Sequence, residues 1–344
     1  MKALSLGVIG SGDIARTAHL PVLQGLEGSR LAWVADVDES RARALGKAYK
    51  VQSHVLEGPG ESLPHADVVL LATPYGVRVP YYETYRTRGT ALYVEKPLAR
   101  TAEEHQQICS WFPEHALASG LMMRSWWANL MVRQIIDTGM FGPLRLAKFA
   151  HGRPGMVTYG RFYLDPSKGG GGMLAEFGIH GLDSMLFVTR ARSASVQQVQ
   201  TVWDGSIDLH TRAQLKLDLG RNQGVDAEIL VTGIDDLNEG MELHFDHATL
   251  FYLLPGQGCA LQGDTIDMRV AVRPRGGGPS YALSPRDVDV YPATKFQMFH
   301  HFWSQFLDGV REAKGNDTNA NRALLTTTLL EDIARAGAAQ REAI

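Results

Sequence analysis

The chain is 344 residues long, with 44% hydrophobic and 21% charged residues and a formal net charge of -3 at pH 7. That length exceeds what one hydrophobic core commonly serves and favours two domains. The near-neutral charge offers no basic surface for nucleic acid, and no apolar stretch approaches the length that spans a bilayer, so neither partner is expected. Cys109 and Cys259 are too few for a disulfide framework and fit no metal-ligand spacing, which points to a reducing cytoplasm.

Leu4 to Ile9 is a short apolar run, cut off by Gly10 and lacking a cleavage site, so it reads as a first strand and not as a signal peptide. It leads into Gly10-Ser11-Gly12-Asp13-Ile14-Ala15, after which Ala15, Ala18, Val22 and Leu26 recur at helical spacing. A G-x-G-x-x-A turn between strand and helix suits a dinucleotide. Gly10 allows the tight turn, Gly12 lets a pyrophosphate approach the backbone, and Ala15 lets helix pack on strand. The helix start at Asp13 and Ile14 then offers N–H groups to the phosphates. A second strand, Leu31 to Ala35, ends in Asp36, placed to accept from the ribose hydroxyls and to repel a 2′-phosphate. NAD is therefore expected over NADP, although Arg41 and Arg43 on the following helix keep NADP as the minority option.

A helix is expected over 39–49, a strand near 51–55, and an uninterrupted apolar strand over 67–72 that stops at Thr73-Pro74. A helix over 79–87 precedes the strand Ala91 to Val94 and the turn Glu95-Lys96-Pro97, where proline keeps Lys96 out of helical geometry at a strand's carboxyl edge. Thr101-Ala-Glu-Glu104 carries a capping-box signature for the next helix, and 116–121 supplies a sixth strand. Strand and helix alternate throughout, the pattern of a doubly wound parallel sheet.

Gly169 to Gly172 feeds a helix over 174–188 on which Glu176, His180 and Asp183 fall at i, i+4 and i+7 and share a stripe. Gly178 and Gly181 inside that helix imply close approach by another group. An acid one turn from a histidine can orient it and fix its tautomer. A metal is the rival reading, but no H-E-x-x-H motif or cysteine cluster accompanies the three residues, and none is expected. From 195 to 272 the pattern has period two, as in Ala213-Leu215-Leu217-Leu219, Val225-Ala227-Ile229-Val231 and Ile266-Met268-Val270-Val272. With the strand near 144–150, this predicts a large, mostly antiparallel open sheet backed by helices. Arg273 to Pro292 reads as a long loop, Phe296, Phe299, Trp303, Phe306 and Val310 as a core-facing helical stripe, and 321–336 as a last helix. The predicted fold is α/β: an N-terminal Rossmann domain over 1–123 and a C-terminal α+β domain over 124–344.

Four marks, Gly10-x-Gly12-x-x-Ala15, Ala72-Thr73-Pro74, Glu95-Lys96-Pro97 and Gly170-Gly171-Gly172-Met-Leu-Ala-Glu176-Phe-Gly178-Ile-His180-Gly-Leu-Asp183, stand in this order. Together they resemble the glucose-fructose oxidoreductase / inositol dehydrogenase / rhizopine catabolism (Gfo/Idh/MocA) family of NAD(P)-dependent oxidoreductases. The resemblance covers residues 1 to about 125 and about 160 to 190. It implies Lys96 and His180 as the catalytic pair, with Glu176 standing where aspartate is usual, and Thr73, Pro74, Glu95 and Lys96 beside the cofactor. Lys96, Glu176, His180 and Asp183 would face the substrate, Asp183 either binding it or bracing its helix. Arg78 stands where many relatives have histidine, which implies a non-standard ligand or a shifted cofactor contact. The expected activity is interconversion of a secondary alcohol and a ketone on a sugar, amino sugar or cyclitol. The alternatives are an NAD-recycling glycosidase or lyase and a non-catalytic sugar sensor. A homodimer or homotetramer through the C-terminal sheet is expected by the same resemblance.

Overall fold

The first apolar runs are short because each lies in a parallel sheet covered on both faces. In a computed structural model, which describes residues 3–61, 63–156, 171–220, 223–254, 269–284 and 294–342, the opening strands are β1 (Leu4–Ile9), β2 (Ser29–Asp36), β3 (Gln52–Val55), β4 (Val68–Leu71), β5 (Ala91–Val94) and β6 (Leu117–Ser119). Every residue of β4 and β5 is buried, as parallel strands between helical layers require. The strands pair in parallel in the order β3-β2-β1-β4-β5-β6. This is the dinucleotide-fold order, and its direction reverses between β1 and β4. Gly10 follows β1, Thr73 follows β4 and Glu95 follows β5, so all three candidate segments emerge at the carboxyl edge near that reversal.

The helices between them are α1 (Leu20–Gly25), α2 (Glu39–Tyr49), α3 (Val79–Arg86) and α4 (Ala102–Ser110). Local chemistry sets their ends. Asp38 caps α2 by accepting from the Arg41 N–H, and Lys50 closes it in the left-handed region. Thr101 accepts from the Glu104 N–H as its sequence predicts, but the reciprocal half of the box is replaced: the Glu104 carboxylate takes the Arg100 N–H at 3.0 Å and the Tyr75 hydroxyl.

The chain separates into two units. The first holds Met1–Met122 and Thr294–Leu324, the second Met123–Ala293 and Leu325–Ile344. The sequence reading places 294–324 in the second domain; its helix α7 (Lys295–Glu312) instead packs within the first unit. The reason is its aromatic face: Trp303 stacks on Tyr93 of β5 with ring centroids 4.3 Å apart, and Phe302 and Phe306 meet the same ring edge-on. Periodicity shows that such a face is buried without showing against what. Phe296, counted in the stripe from its spacing, is half exposed.

The second unit is built on an eight-stranded sheet of β7 (Leu144–Gly152), β8 (Ser193–Asp204), β9 (Ile207–Asp218), β10 (Gly224–Thr232), β11 (Gly240–Phe245), β12 (Ala248–Tyr252), β13 (Val270–Pro274) and β14 (Tyr281–Leu283). All its pairings are antiparallel except β7 with β10. Along β9 the inward Ala213, Leu215 and Leu217 are buried while Arg212, Gln214 and Lys216 are exposed, the period-two pattern of a sheet backed on one face. The helices of this unit are α5 (Trp127–Thr138), α6 (Ile179–Thr189) and α8 (Leu324–Glu342). The expected strand positions Ile266 and Met268, residues 169 and 170 of the glycine run, most of the loop to Pro292, and Cys259 lie outside the described residues. Among the described residues no helix is long and apolar enough to cross a membrane, and no three metal-ligating side chains cluster.

Candidate active site

In the first unit the backbone itself shapes a cradle. Gly10 has φ +97°, and a Cβ there would lie 2.5 Å from the Ala72 carbonyl oxygen, so only glycine fits. Gly12 is the opposite case: a Cβ would meet nothing within 4 Å, and the space beside the helix start stays open because the residue has no side chain. Asp13 is exposed and pairs with Arg16, Ile14 is half-buried, and the chain continues as a π-helical turn, Ala15–His19, before α1.

Asp36 closes the cradle's far side. One carboxylate oxygen accepts from the Ser11 N–H at 2.5 Å and the other from the Asp38 N–H at 2.9 Å, which fixes the group against the glycine turn and leaves a lone pair on each oxygen. Two hydroxyls near the same edge, Ser11 Oγ and Thr73 Oγ1, are buried without a hydrogen-bond partner. Buried polar atoms are seldom left so, and unpaired donors beside an open glycine turn fit a ligand rich in phosphate and ribose oxygens. Arg41 and Arg43 each pair with an acid of their own segment, Asp38 and Glu39.

Lys96 stands half-buried at the end of β5, and the turn that holds it is braced twice. Arg78 is buried and directs its guanidinium to backbone carbonyls: Nε and Nη2 donate to Thr73 O at 3.0 and 2.6 Å, and Nη1 donates to Pro97 O at 2.5 Å and to Glu95 O. The sequence reading gives Arg78 to a ligand or the cofactor. Its planar fork instead ties the ends of β4 and β5 together. The second brace is His19, buried completely, whose Nε2 lies 2.7 Å from Glu95 Oε1. Burial would raise the Glu95 carboxyl; the hydrogen bond from His19, the charge His19 carries when protonated, and the cations Lys96 and Arg78 act against it and hold the group below its ordinary range.

His19 is the functional candidate that sequence reasoning missed. Its one signal is position, on the inward face of the helix that opens with the glycine turn. Pro74 precedes a short turn, Tyr75–Val77, that delivers Arg78.

In the second unit a π-helical turn, Leu174–Gly178, runs into α6, with Glu176 on the turn and His180 at the start of α6, both half-buried. Asp183 is turned inward, 1% exposed. Arg124 donates to both its oxygens at 2.9 and 2.6 Å, and the Thr326 hydroxyl donates at 2.9 Å. The stripe drawn from spacing therefore divides, with Glu176 and His180 partly accessible and Asp183 a buried anchor between α6, Arg124 and α8.

The two helix glycines also have a structural cause. A Cβ on Gly181 would lie 2.1 Å from Phe149 of β7, and one on Gly178 would lie 3.0 Å from Leu174. At Gly181 the close approach read from sequence is that of α6 to its own sheet, while Gly178 meets Leu174 of its own turn and, at 3.7 Å, Val231 of β10. Gly172, at φ +82°, would drive a Cβ to 1.8 Å from Asp208. That carboxylate accepts the Leu174 N–H at 2.8 Å and the Thr211 hydroxyl at 3.1 Å, so a strand residue caps the helix that carries Glu176. Burial pushes the Asp208 carboxyl up to about 7 against those bonds.

Comparison with known proteins follows the same division. The family described as an oxidoreductase family with an NAD-binding Rossmann fold matches residues 4–119, and the GFO/IDH/MocA C-terminal domain matches 129–250. An inositol 2-dehydrogenase of Ralstonia nicotianae is 27% identical over 240 residues, 66% of this chain and 67% of the relative. Two further inositol 2-dehydrogenases are matched over 57 and 58% of their own length, so the chain spans little more than half of them. A dTDP-3,4-didehydro-2,6-dideoxy-alpha-D-glucose 3-reductase of Streptomyces antibioticus is 25% identical across 92% of this chain and 91% of its own. Among solved structures, a 3-ketoreductase from Actinomadura kijaniata in complex with TDP-benzene and NADP superposes with a TM-score of 0.80 at 17% identity over 98% of each chain, a likeness of fold.

Proposed function

From the premise that this chain belongs to the GFO/IDH/MocA oxidoreductase family, we propose that it interconverts a secondary alcohol and a ketone on a sugar, amino sugar or cyclitol. Its first unit is an NAD-binding Rossmann domain, and the glycine turn, Asp36, Ser11 and Thr73 are the residues that would hold the dinucleotide. When bound, the nicotinamide supplies the hydride acceptor or donor.

The observation that carries this reading is the double brace on the Glu95-Lys96-Pro97 turn, because so rigid a support holds a half-buried lysine at a sheet edge. Lys96 donates a hydrogen bond to the reacting oxygen and stabilises negative charge as the alkoxide develops. An imidazole nitrogen of His180 takes the hydroxyl proton in oxidation and returns it in reduction. Glu176, one turn earlier, orients that ring or accepts from a neighbouring substrate hydroxyl, and Asp183 braces α6 through Arg124 and Thr326. Asp36 favours NAD, since a 2′-phosphate would meet a carboxylate locked in place by two backbone N–H groups. The relatives act on cyclitols and on dTDP-sugars, and both classes present adjacent secondary oxygens to such a site. A reducing cytoplasm is the proposed home, and copies are proposed to pair through the face of the eight-stranded sheet lined by Arg212–Glu228 and Lys216–Asp226.

The test is a screen of inositols, free sugars and amino sugars with NAD and with NADP, read by cofactor absorbance, together with Lys96→Ala. Turnover of the variant is expected to fall by about 100-fold or more, with dinucleotide affinity within about threefold. Unaltered turnover would sink the role given to Lys96. Product formation without net NADH would instead favour the internal oxidation and re-reduction of a glycosidase or lyase.

A further inference from the structure

The buried end of Glu95 is held by a chain of hydrogen bonds whose proton positions follow from the chemistry of one residue. Trp303 on α7 donates its indole Nε1–H to His19 Nδ1 at 2.9 Å. An indole nitrogen only donates, so Nδ1 must offer a lone pair. The network therefore assigns the ring as the neutral tautomer with its proton on Nε2, aimed at Glu95 Oε1 at 2.7 Å. An imidazolium would place a second N–H against the indole N–H. The ring cannot turn away, because Tyr93 and Phe299 meet it edge-on with centroids 5.1 and 5.0 Å away. The ion pair that the His19–Glu95 distance would otherwise suggest is thus a neutral donor on a carboxylate, and Glu95 keeps its full negative charge. Its second oxygen takes the Lys96 N–H at 3.2 Å. The groups facing that carboxylate are His19 from the first helical turn, Lys96 from its own turn, Arg78 from the start of α3, Lys295 from α7 and Tyr93 from β5.

We propose that His19 and Trp303 are positioning residues for Lys96: the indole holds the His19 ring in its Nε2–H tautomer, that N–H fixes the Glu95 carboxylate, and the carboxylate in turn takes the Lys96 backbone N–H and holds the residue at the sheet edge. The part that concerns Lys96 rests on the hydride-transfer reading above; the proton assignment on His19 does not.

The full-length protein labelled with ¹⁵N-histidine tests this by imidazole NMR, with the His19 signals identified by their loss in His19→Gln. In the wild type His19 is expected to show the neutral Nε2–H pattern at pH 8. In Trp303→Phe, which keeps an aromatic ring but removes the donor, an Nδ1–H tautomer is expected to appear beside it. A wild-type His19 that carries its proton on Nδ1 overturns the proposal. Kinetics give the second readout. Glutamine can accept from Trp303 and donate to Glu95, so His19→Gln is expected within about threefold of wild-type kcat, whereas His19→Leu loses about tenfold or more in kcat with the NAD KM changed far less. Equal losses in the glutamine and leucine variants would overturn the positioning role. If the wild type reduces no NAD with any sugar or cyclitol, the functional reading fails, and the NMR result still decides the assignment on His19.

Discussion

Replacing Arg124 by methionine removes two charge-assisted hydrogen bonds from a carboxylate that water does not reach. Asp183 would keep the Thr326 hydroxyl on Oδ1, while Oδ2 loses the Arg124 Nε–H that serves it. Hydrogen bonds to charged groups contribute roughly 1.5–3 kcal/mol each, and breaking a buried ion pair from one side costs about 3–5 kcal/mol, so the two figures agree near 4 kcal/mol. At about 2–4 °C per kcal/mol for a unit of this size, the melting of the second unit should fall by roughly 8–16 °C. The assay is urea and thermal unfolding of the single variant beside Arg124→Met/Asp183→Leu. Replacing both charges by apolar side chains of similar reach should recover most of the loss, because the single variant suffers chiefly from the charge left behind. An Arg124→Met protein within about 1 kcal/mol of wild type would refute the bracing role of Asp183. So would a double variant as unstable as the single one.

Asp208 makes a linkage prediction. Its folded-state pKa, raised to about 7 chiefly by burial, lies above the ordinary 3.8, so the folded chain binds this proton more tightly than the unfolded one. Stability from this group is full below about pH 4 and declines as pH rises to about 7, by about 4 kcal/mol in all. Asp208→Asn should flatten that decline in urea melts at pH 5 and 8, and a variant keeping the wild-type slope would assign the dependence elsewhere. Gly12→Val separates binding from folding: the new side chain enters open space, so unfolding should change by less than about 1 kcal/mol while NADH fluorescence shows dinucleotide binding weakened by about tenfold or more. Tight binding in that variant would place the dinucleotide elsewhere.

Much of the first unit is legible in the chain because its signals are local. Gly10 turns the chain at φ +97°, the strand ends announce themselves at Asp36, Thr73-Pro74 and Glu95-Lys96-Pro97, and apolar runs of four to six residues bounded by such stops are too short for buried helices and suit strands covered on both faces. The eight-stranded sheet is legible for a similar reason, since strict alternation permits one buried face.

What the sequence by itself determined is therefore the order of elements and which residues stand at the carboxyl edge of the dinucleotide sheet. Only the tertiary structure decided how those residues are supported. Spacing set Asp183 beside His180, but its carboxylate turns inward because Arg124 and Thr326, 59 and 143 residues away in the chain, are there to receive it. Gly181 implied close approach by another group, and that group is Phe149; Arg78 implied a non-standard ligand or a shifted cofactor contact, and its guanidinium meets three carbonyls. His19 joins Glu95 and Trp303 across separations of 76 and 284 residues. Periodicity reports whether a side chain is buried, which is a property of its own segment. The partner it is buried against belongs to another part of the chain, and only the folded structure brings the two together.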